Sequence, residues 1–305
     1  MRAPTAALTA VAVVSGAMVA LQQRVNGELK DVLGDALVTA LVSFGTGLAV
    51  VGLLVAARRR SRRALPAVRD VAWWLRLGGL GGATLVAVGA AAAPQIGVAL
   101  LTVGLVAGQT SGGILVDRAG LGPGGAHPFS VARVGGAVLC LAAVGLSAAG
   151  SGVRAARPGL LVLVVLAGFL IAFQQAANGR VRAATGDAAV ATLVNFVVGT
   201  GALLAGLALR VVVHGLTVRS WPGPDRWYLY TGGPLGASFV AVAAVAVRRL
   251  GVLRLGLAVT AGQLGGAVVL DELLPSHGRQ VAALTLVAVG LTFVAVLVSG
   301  RAARR

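Results

Sequence analysis

Ten apolar runs, each close to 20 residues long, determine what this sequence can fold into. A run of about 20 apolar residues crosses the roughly 30 Å hydrocarbon core of a bilayer as an α-helix, which satisfies its own backbone hydrogen bonds there. The runs lie at residues 4–23, 36–57, 71–93, 97–116, 128–149, 159–177, 188–209, 227–247, 251–270 and 281–299. The sequence therefore predicts an all-α membrane protein with ten transmembrane helices.

Composition argues against an ordinary soluble fold. Of the 305 residues, 57% are hydrophobic and 11% are charged, whereas a soluble domain carries about 25% charged residues. The formal net charge is +17, but the basic residues lie between the apolar runs or at the chain end, without the interleaved aromatic residues of a single-strand binder. We therefore predict a lipid bilayer as the surrounding partner and no nucleic acid.

The N-terminal apolar run, preceded by Arg2, resembles a cleavable signal sequence. The run is long enough for a full membrane span, and the polar residues that follow it occur again after a later apolar run. Both observations favour a first transmembrane helix that is not cleaved off. The lone Cys140 lies in an apolar run, where neither a disulfide nor a metal site is expected. The sequence has no Gly-x-x-x-x-Gly-Lys-Ser/Thr phosphate loop and no clustered acid, base or metal-binding groups, so it predicts no cofactor, no metal and no enzyme.

The chain contains two copies of one five-helix unit. The aligned blocks are residues 20–47 with 172–199 at an offset of 152, and 73–117 with 227–271 at an offset of 154. The first block alone matches 13 of 28 positions. Rare polar residues that repeat in order within apolar helices indicate internal duplication. We therefore predict one repeat over residues 1–152 and a second over residues 153–305.

Five helices per repeat is an odd number, so consecutive repeats must enter the membrane from opposite sides. With both termini in the cytoplasm, 18 of the 26 Lys and Arg residues lie on the inner side, as the positive-inside rule requires. We therefore predict inverted-topology repeats with both termini cytoplasmic. Many secondary transporters have this architecture, in which a central site opens to each side in turn.

Four short motifs occur in the same order in both repeats. The first span ends in Gln-x-x-x-Asn-Gly, and the second span contains Ser/Asn-Phe-x-x-Gly. The third span has a Trp followed by Gly-Gly-x-x-Gly, and the fourth span contains Gly-Gln and ends in Asp. In this order they resemble the motifs of the YdcZ-like proteins. These proteins belong to the drug/metabolite transporter (DMT) superfamily and share its EamA-like fold. The resemblance implies two five-helix units fused in one chain, and a multi-pass transporter of the bacterial inner membrane without a named substrate. Strict repetition fails at residues 94–97, Pro-Gln-Ile-Gly, which become Arg-Arg-Leu-Gly at 248–251.

Gln109 and Gln263 are matching glutamines near the middle of the fourth and ninth spans. A side-chain amide in hydrocarbon must find hydrogen-bond partners or cost several kcal/mol, roughly the value for an unsatisfied polar group. Both could line a central aqueous cavity and bind substrate, or they could bond between helices. Their symmetry favours the cavity. The glycines at every fourth position around Gln109, which are Gly104, Gly108 and Gly112, predict close helix packing.

Gln22 and Asn26 lie four residues apart on one helical face, and Gln174 and Asn178 repeat this arrangement in the second unit. These residues could bind substrate or form gates at the two mouths of the bundle, or they could cap helix ends. We favour capping for Asn26 and Asn178, because Asn-Gly is a common helix stop signal. The role of the two glutamines stays open between substrate binding and capping.

Ser43 and Asn195 are the matching polar residues within the second and seventh spans. Both are predicted substrate ligands, and Asn195 is the better candidate because its amide is costlier to bury. All nine carboxylates fall at span ends or in loops, so the sequence predicts no mid-membrane proton relay. Asp117 and Asp271, at opposite faces, remain as ionisable candidates, either as gates or as anchors of span ends.

The inverted repeat and the paired polar residues favour a secondary transporter or exporter of a small metabolite or drug-like compound, working by alternating access. The alternative is a non-transporting scaffold or a subunit of a larger membrane complex. The substrate, the direction of transport and the coupling ion stay open. A homo-oligomer is possible, although fusion of the two units removes the need to dimerise.

Overall fold

The computed structural model describes residues 5–127, 130–149, 158–216, 218–273 and 283–301. These residues are almost entirely helical and contain no strand. They form ten α-helices: α1 (Thr5–Leu33), α2 (Ala36–Ala57), α3 (Arg59–Ala64), α4 (Trp73–Arg76), α5 (Leu80–Arg118), α6 (Val131–Ala149), α7 (Pro158–Thr185), α8 (Ala188–His214), α9 (Gly232–Leu273) and α10 (Ala283–Arg301). Three 3-10 helices lie at Leu65–Asp70, Leu77–Gly79 and Pro224–Thr231. The predicted repeat boundary between residues 152 and 153 lies outside the described residues.

Five segments of the described chain are long and apolar enough to cross a membrane: Thr5–Leu33, Ala36–Ala57, Pro158–Thr185, Ala188–Val213 and Pro224–Leu270. The last of these has 47 residues, about twice the length that one crossing needs. A shorter apolar helix covers Val131–Ala143 within α6. The path of the longest helices therefore decides the number of crossings.

α9 turns back on itself at Gly251, whose backbone has φ +73° and ψ 169° within the helical run. Glycine adopts a positive φ readily because it has no Cβ. The contacts of α9 with α1 occur in this order: Gly232 with Asn26, Gly236 with Gln22, Gly262 with Val13 and Gly266 with Ala17. The first half of α9 is therefore antiparallel to α1 and the second half is parallel to it, which makes two crossings.

α5 also makes two crossings, because its two halves contact the same part of α7. Gly81 lies against Leu170 and Gly112 lies against Phe169, yet 31 residues of straight helix would separate the two glycines by about 46 Å. The chain must therefore reverse between them, in the segment that contains Pro94. With α5 and α9 counted twice and the short α3 and α4 left out, the described helices supply ten crossings. The prediction of ten transmembrane helices is confirmed.

α2 and α8 are copies of one another that run in opposite directions. Asp35, just before α2, forms an ion pair with Arg210 near the end of α8. Ser61, just after α2, donates a hydrogen bond of 2.7 Å to Asp187, just before α8. The start of each helix therefore contacts the end of the other. Because corresponding helices are antiparallel, the two repeats have inverted topology, as predicted.

The rings of Phe44 and Phe196 meet where α2 and α8 cross, with their centroids 5.1 Å apart. The two residues are copies of each other at the offset of 152. A residue that contacts its own copy lies on the axis that relates the copies. The pseudo-twofold axis of the bundle therefore passes between these two rings.

A Gly-Asp dipeptide sets the turn into each of these helices. Gly34 and Gly186 have φ values of +77° and +67°, the left-handed conformation in which many helices end. Asp35 then accepts a hydrogen bond from the backbone N–H of Val38 at 2.9 Å, and Asp187 caps α8 by accepting one from the N–H of Ala189 at 2.8 Å. A side-chain cap of this kind contributes about 1 kcal/mol to a helix.

Asn26 and Asn178 do not end their helices, so the prediction that they act as helix caps is wrong. α1 continues to Leu33, and α7 likewise runs beyond Asn178. The physical reason is tertiary packing: Leu29 and Leu33 are fully buried in a cluster with Leu229. The glycine after each asparagine costs a helix about 1 kcal/mol, less than the burial of two leucines supplies at roughly 1.5–3 kcal/mol each.

The outer surface of the bundle is apolar. Leu53, Val162, Leu204 and Leu297 are each more than half exposed. A helix on a soluble protein would carry polar residues on this face, whereas hydrocarbon accepts leucine and valine there. The exposed apolar side chains therefore belong to the surface that lipid covers.

Candidate functional site

Asn178 and Asn195 form a buried polar pair between α7 and α8. The Nδ2 group of Asn178 donates to Oδ1 of Asn195 at 3.0 Å, and the two residues are 3% and 1% exposed. Gly78 lies against the side chain of Asn178, and Gly79 lies against the backbone of Asn195. These two glycines leave the space that the pair occupies. The pair places amide groups inside the bundle, within reach of both repeats.

The first repeat places Asn26 and Ser43 in the corresponding positions, around Gly232 of α9. Asn26 Oδ1 and Ser43 Oγ are both buried and lack a hydrogen-bond partner. Serine is shorter than asparagine, so the amide-to-amide bond of the second repeat has no equivalent here. An unpaired buried polar group costs about 1–3 kcal/mol. A polar ligand that bonded to these oxygens would recover part of this free energy.

Gln22 and Gln174 lie one helical turn before these asparagines. Gln174 is buried, and its Oε1 atom lies against Gly81 without a hydrogen-bond partner. Gln22 is half-buried, and its amide contacts Gly236. Each polar pair is therefore extended by one amide along α1 or α7, toward the middle of the helix.

Sequence reasoning missed Gln175. Both amide atoms of this residue are buried without a hydrogen-bond partner. The hydroxyl of Thr200 in α8 is likewise buried without a hydrogen-bond partner. The signal for Gln175 was present, since Gln23 and Gln175 match at the offset of 152. What the sequence could not reveal is that Gln175 faces the protein interior whereas Gln23 is exposed.

The structure places Gln109 and Gln263 at different levels of the bundle. Gln109 lies beside Gly256 of α9, and its backbone packs against Gly168 of α7. Gln263 lies seven residues beyond Gly256, about 10 Å farther along the helix, and its backbone packs against Gly16 of α1. Each glutamine therefore sits at its own helix crossing, and a shared cavity stays a prediction.

Asp117 connects three helices. Its carboxylate accepts hydrogen bonds from the backbone N–H groups of Val252 at 2.6 Å and Leu253 at 3.1 Å, and it forms an ion pair with Arg133 of α6. The residue is 2% exposed. Because Val252 and Leu253 begin the second half of α9 after Gly251, Asp117 caps that half. The cap comes from the far end of α5 rather than from the preceding residue.

Asp271 is the copy of Asp117 and lies near the end of α9. Its side chain is outside the described part of the structure. The part of the chain that is described contains no group of three or more His, Cys, Asp or Glu residues that could hold a metal ion. The predicted site residues of α1, α2, α7 and α8 carry amides and hydroxyls, which suit hydrogen bonding to a ligand.

Two contacts between the repeats close opposite ends of the α2–α8 pair: the Asp35–Arg210 ion pair and the Ser61–Asp187 hydrogen bond. Burial alone would raise the pKa of the Asp187 carboxyl. The hydrogen bond from Ser61, those from the backbone of Ala189 and the following residue, and the charge of Arg60 outweigh burial and hold that pKa below its ordinary value. Asp187 is therefore ionised at neutral pH.

A cavity of about 740 Å³ opens beside the Ser61–Asp187 contact. It lies between the second half of α2, the start of α8 and the first half of α9. A smaller cavity of about 360 Å³ lies beside α4 and the end of α7, and Asp70 and Arg180 are the charged residues in its wall. Neither cavity includes a sequence-predicted site residue in its lining.

Ten crossings in two inverted repeats, with buried amides between them, define a polytopic membrane protein of the kind that includes many transporters. The chain belongs to the family described as "Putative inner membrane exporter, YdcZ", whose model matches residues 7–146 and again residues 159–298. The resemblance seen in the sequence is confirmed, and with it the two fused five-helix units of the DMT superfamily. The family is one of multi-pass inner-membrane exporters and not of enzymes.

A crystal structure described only as "Crystal structure of protein" has the same fold. It is 21% identical in sequence, with a TM-score of 0.69 over 100% of this chain and 99% of its own. At this level of identity the similarity shows the fold alone. No curated protein matches the chain.

Proposed function

We propose that this protein exports a small metabolite or drug-like compound by alternating access as a secondary transporter. The proposal is carried by one observation: matching polar sites in the inverted repeats differ in their pairing. Asn178 is bonded to Asn195, whereas Asn26 Oδ1 and Ser43 Oγ are buried and unpaired. In an inverted repeat the two halves can exchange conformations, so the Asn26–Ser43 site is the one proposed to accept a ligand while Asn178 and Asn195 are bonded to each other.

The polar residues have separate roles in this proposal. Asn195 and Ser43 bind substrate from the second helix of each repeat, and Gln22 and Gln174 extend the site along the first helix. Gln109 and Gln263 bind substrate from the two helix crossings that they occupy. Asn26 and Asn178 act as gates, because each lies beside a glycine of the opposite repeat. Asp117 and Asp271 hold the ends of the fourth and ninth spans.

The repeats are proposed to cover residues 1–152 and 153–305, with both termini in the cytoplasm. Asp31 and Ala183 test this orientation, because they are exposed and correspond at the offset of 152. In spheroplasts, a membrane-impermeant maleimide is expected to label Asp31→Cys and to spare Ala183→Cys until the cells are lysed. The wild-type protein is the control, since its lone Cys140 is buried.

Labelling of both cysteines from the same side would contradict the inverted threading. Labelling of Ala183→Cys alone in intact spheroplasts would keep the inversion but would place both termini outside. Each result is read from the same two variants, so the orientation and the inversion are tested separately.

Transport itself is tested with the double variant Asn178→Leu/Asn195→Leu. Replacing both partners of a buried hydrogen bond with apolar groups of similar shape has little effect on stability, but here it removes the proposed gate Asn178 and the proposed substrate ligand Asn195. Proteoliposomes loaded with a panel of labelled amino acids, sugars, nucleosides and drug-like ions are expected to release at least one compound faster than protein-free vesicles. The double variant is expected to lower that rate about tenfold, the effect of losing roughly 1.4 kcal/mol of binding.

Ser111→Ala is the control, because this exposed serine bonds only to its own helix, and it should transport at the wild-type rate. Failure to move any compound, from protein that still unfolds cooperatively, would favour the non-transporting scaffold. Equal transport rates for the wild type and the double variant would show that the asparagine pair has no role in substrate binding or gating. Export by the protein would not be contradicted.

A further inference from the structure

The cavity of about 740 Å³ combines an apolar floor with a basic rim. On α2 its wall includes Val50 and Leu54, which lie four residues apart on one face of the helix, and Arg58 follows at the helix C-cap. Val50 is 48% exposed and Leu54 is 36% exposed. The wall therefore changes from apolar to cationic over about 12 Å, from the second half of α2 to its C-terminal end.

The opposite wall is made of small residues. Ala237, Ser238 and Ala241 line the cavity from the first half of α9, and Ala188 and Ala189 line it from the start of α8. Small side chains on two helices leave a groove between them and α2. The groove follows the membrane-crossing direction of α2, so its apolar part lies at the depth of lipid acyl chains.

Three consecutive cations, Arg58, Arg59 and Arg60, line the cavity at the point where α2 ends. The nearby carboxylate of Asp187 already accepts hydrogen bonds from Ser61 at 2.7 Å and from the Ala189 N–H at 2.8 Å. It also attracts the charge of Arg60, so it balances part of the charge of the three cations. The arginines exceed this one carboxylate in number, so the rim has a net positive charge.

The smaller cavity of about 360 Å³ lacks this combination. Its charged residues are Asp70 and Arg180, and the guanidinium of Arg180 already donates to the backbone carbonyls of Leu121 and Gly120. Of these two cavities, the larger is therefore the one with an excess of positive charge.

We propose that this cavity binds an anionic phospholipid of the surrounding bilayer. One acyl chain lies along Val50 and Leu54 against the small residues of α9. The phosphate is held by the three consecutive arginines that begin at Arg58. Arginine binds phosphate oxygens with two parallel hydrogen bonds, and basic pockets between membrane helices are typical sites for anionic headgroups. The site is independent of the proposed transport and needs no bound substrate.

The test compares lipids with identical dioleoyl chains, added to delipidated protein in detergent and followed by native mass spectrometry. Phosphatidylglycerol is expected to bind more tightly than phosphatidylcholine. Arg58→Gln/Arg59→Gln/Arg60→Gln is expected to weaken phosphatidylglycerol binding by on the order of 10- to 100-fold and to leave phosphatidylcholine binding unchanged. The matched control is Arg62→Gln/Arg63→Gln/Arg69→Gln, which removes the same charge from the same surface segment outside the cavity lining.

A second variant tests the apolar part without changing charge. Ser238 is an exposed member of the lining, so Ser238→Phe fills the groove from its open side and spares the core. It is expected to reduce phosphatidylglycerol binding at least fivefold, a change of about 1 kcal/mol. Unchanged binding to Ser238→Phe would overturn the acyl-chain placement.

Equal losses in the two arginine triple variants would also overturn the proposal, because they would show a general attraction to a basic surface. Competition by inorganic phosphate as effective as that by phosphatidylglycerol would identify a free-anion site instead of a lipid site. Unfolding temperatures of all variants in lipid-free detergent identify any variant that fails to fold. In that event the single substitution Arg58→Gln, compared with Arg63→Gln, decides the question.

Discussion

Asp117→Ala is expected to lower the free energy of unfolding by about 3–5 kcal/mol, the typical cost of breaking a buried ion pair by removing one partner. The substitution leaves Arg133 without its carboxylate. It also leaves the backbone N–H groups of Val252 and Leu253 without an acceptor. The second half of α9 would lose its cap, and the contacts of that half with α1 would weaken with it.

Equilibrium unfolding in mixed detergent micelles measures this effect. Asp225→Ala is the control, because the Asp225 side chain is 77% exposed in its ion pair with Arg226, and exposed pairs contribute about 0–1 kcal/mol. Asp117→Asn keeps an oxygen for one backbone N–H but loses the charge, so its effect should fall between those of Asp117→Ala and the control. A loss below about 1 kcal/mol for Asp117→Ala would show that the carboxylate does not hold the three helices together.

Gly108→Ala is expected to destabilise the protein by about 3 kcal/mol, the upper part of the usual range for overpacking. A Cβ at this position would overlap the backbone carbonyl oxygen of Val165. A backbone atom cannot move aside as the end of a flexible side chain can, so α5 and α7 would have to separate. The copy Gly262→Ala would overlap the Val13 carbonyl in the same way and should have a similar effect.

Gly201→Ala is the matched control, because a Cβ there meets no atom within 4 Å. Alanine is the better helix former by about 1 kcal/mol, so this variant should be as stable as the wild type or slightly more stable. The double variant Gly108→Ala/Gly262→Ala should show nearly additive losses, since the two sites share no partner. A neutral Gly108→Ala would mean that the helices tolerate a wider spacing than the structure has.

The fold could be predicted from the sequence because its signals are local or repeated. Span length follows from bilayer thickness, and the inversion follows from an odd number of helices in each copy. The spacing of Gly104, Gly108 and Gly112 predicted close packing, and each of these glycines contacts α7. Such features need only the order of residues along the chain, so a single sequence suffices.

The site was harder to predict because its contacts join distant parts of the chain. The Asn-Gly pairs were interpreted as helix stops from local statistics, but the burial of Leu29 and Leu33 carries α1 onward past Asn26. Asp117 was predicted as an anchor or a gate, yet its amide partners lie 135 and 136 residues away. The different depths of Gln109 and Gln263 depend on how two antiparallel helices cross, which no motif encodes.

Fusion of the two units has a consequence for how such a protein can change. In a dimer of identical five-helix units, every substitution would occur twice and both polar sites would stay alike. In this chain the two sites are encoded separately, and they already differ, with Ser43 on one side and Asn195 on the other. One repeat can thus acquire its own preference for a substrate while the other keeps the Asn178–Asn195 hydrogen bond. The two ends of the transport path can therefore bind the same compound with different affinity.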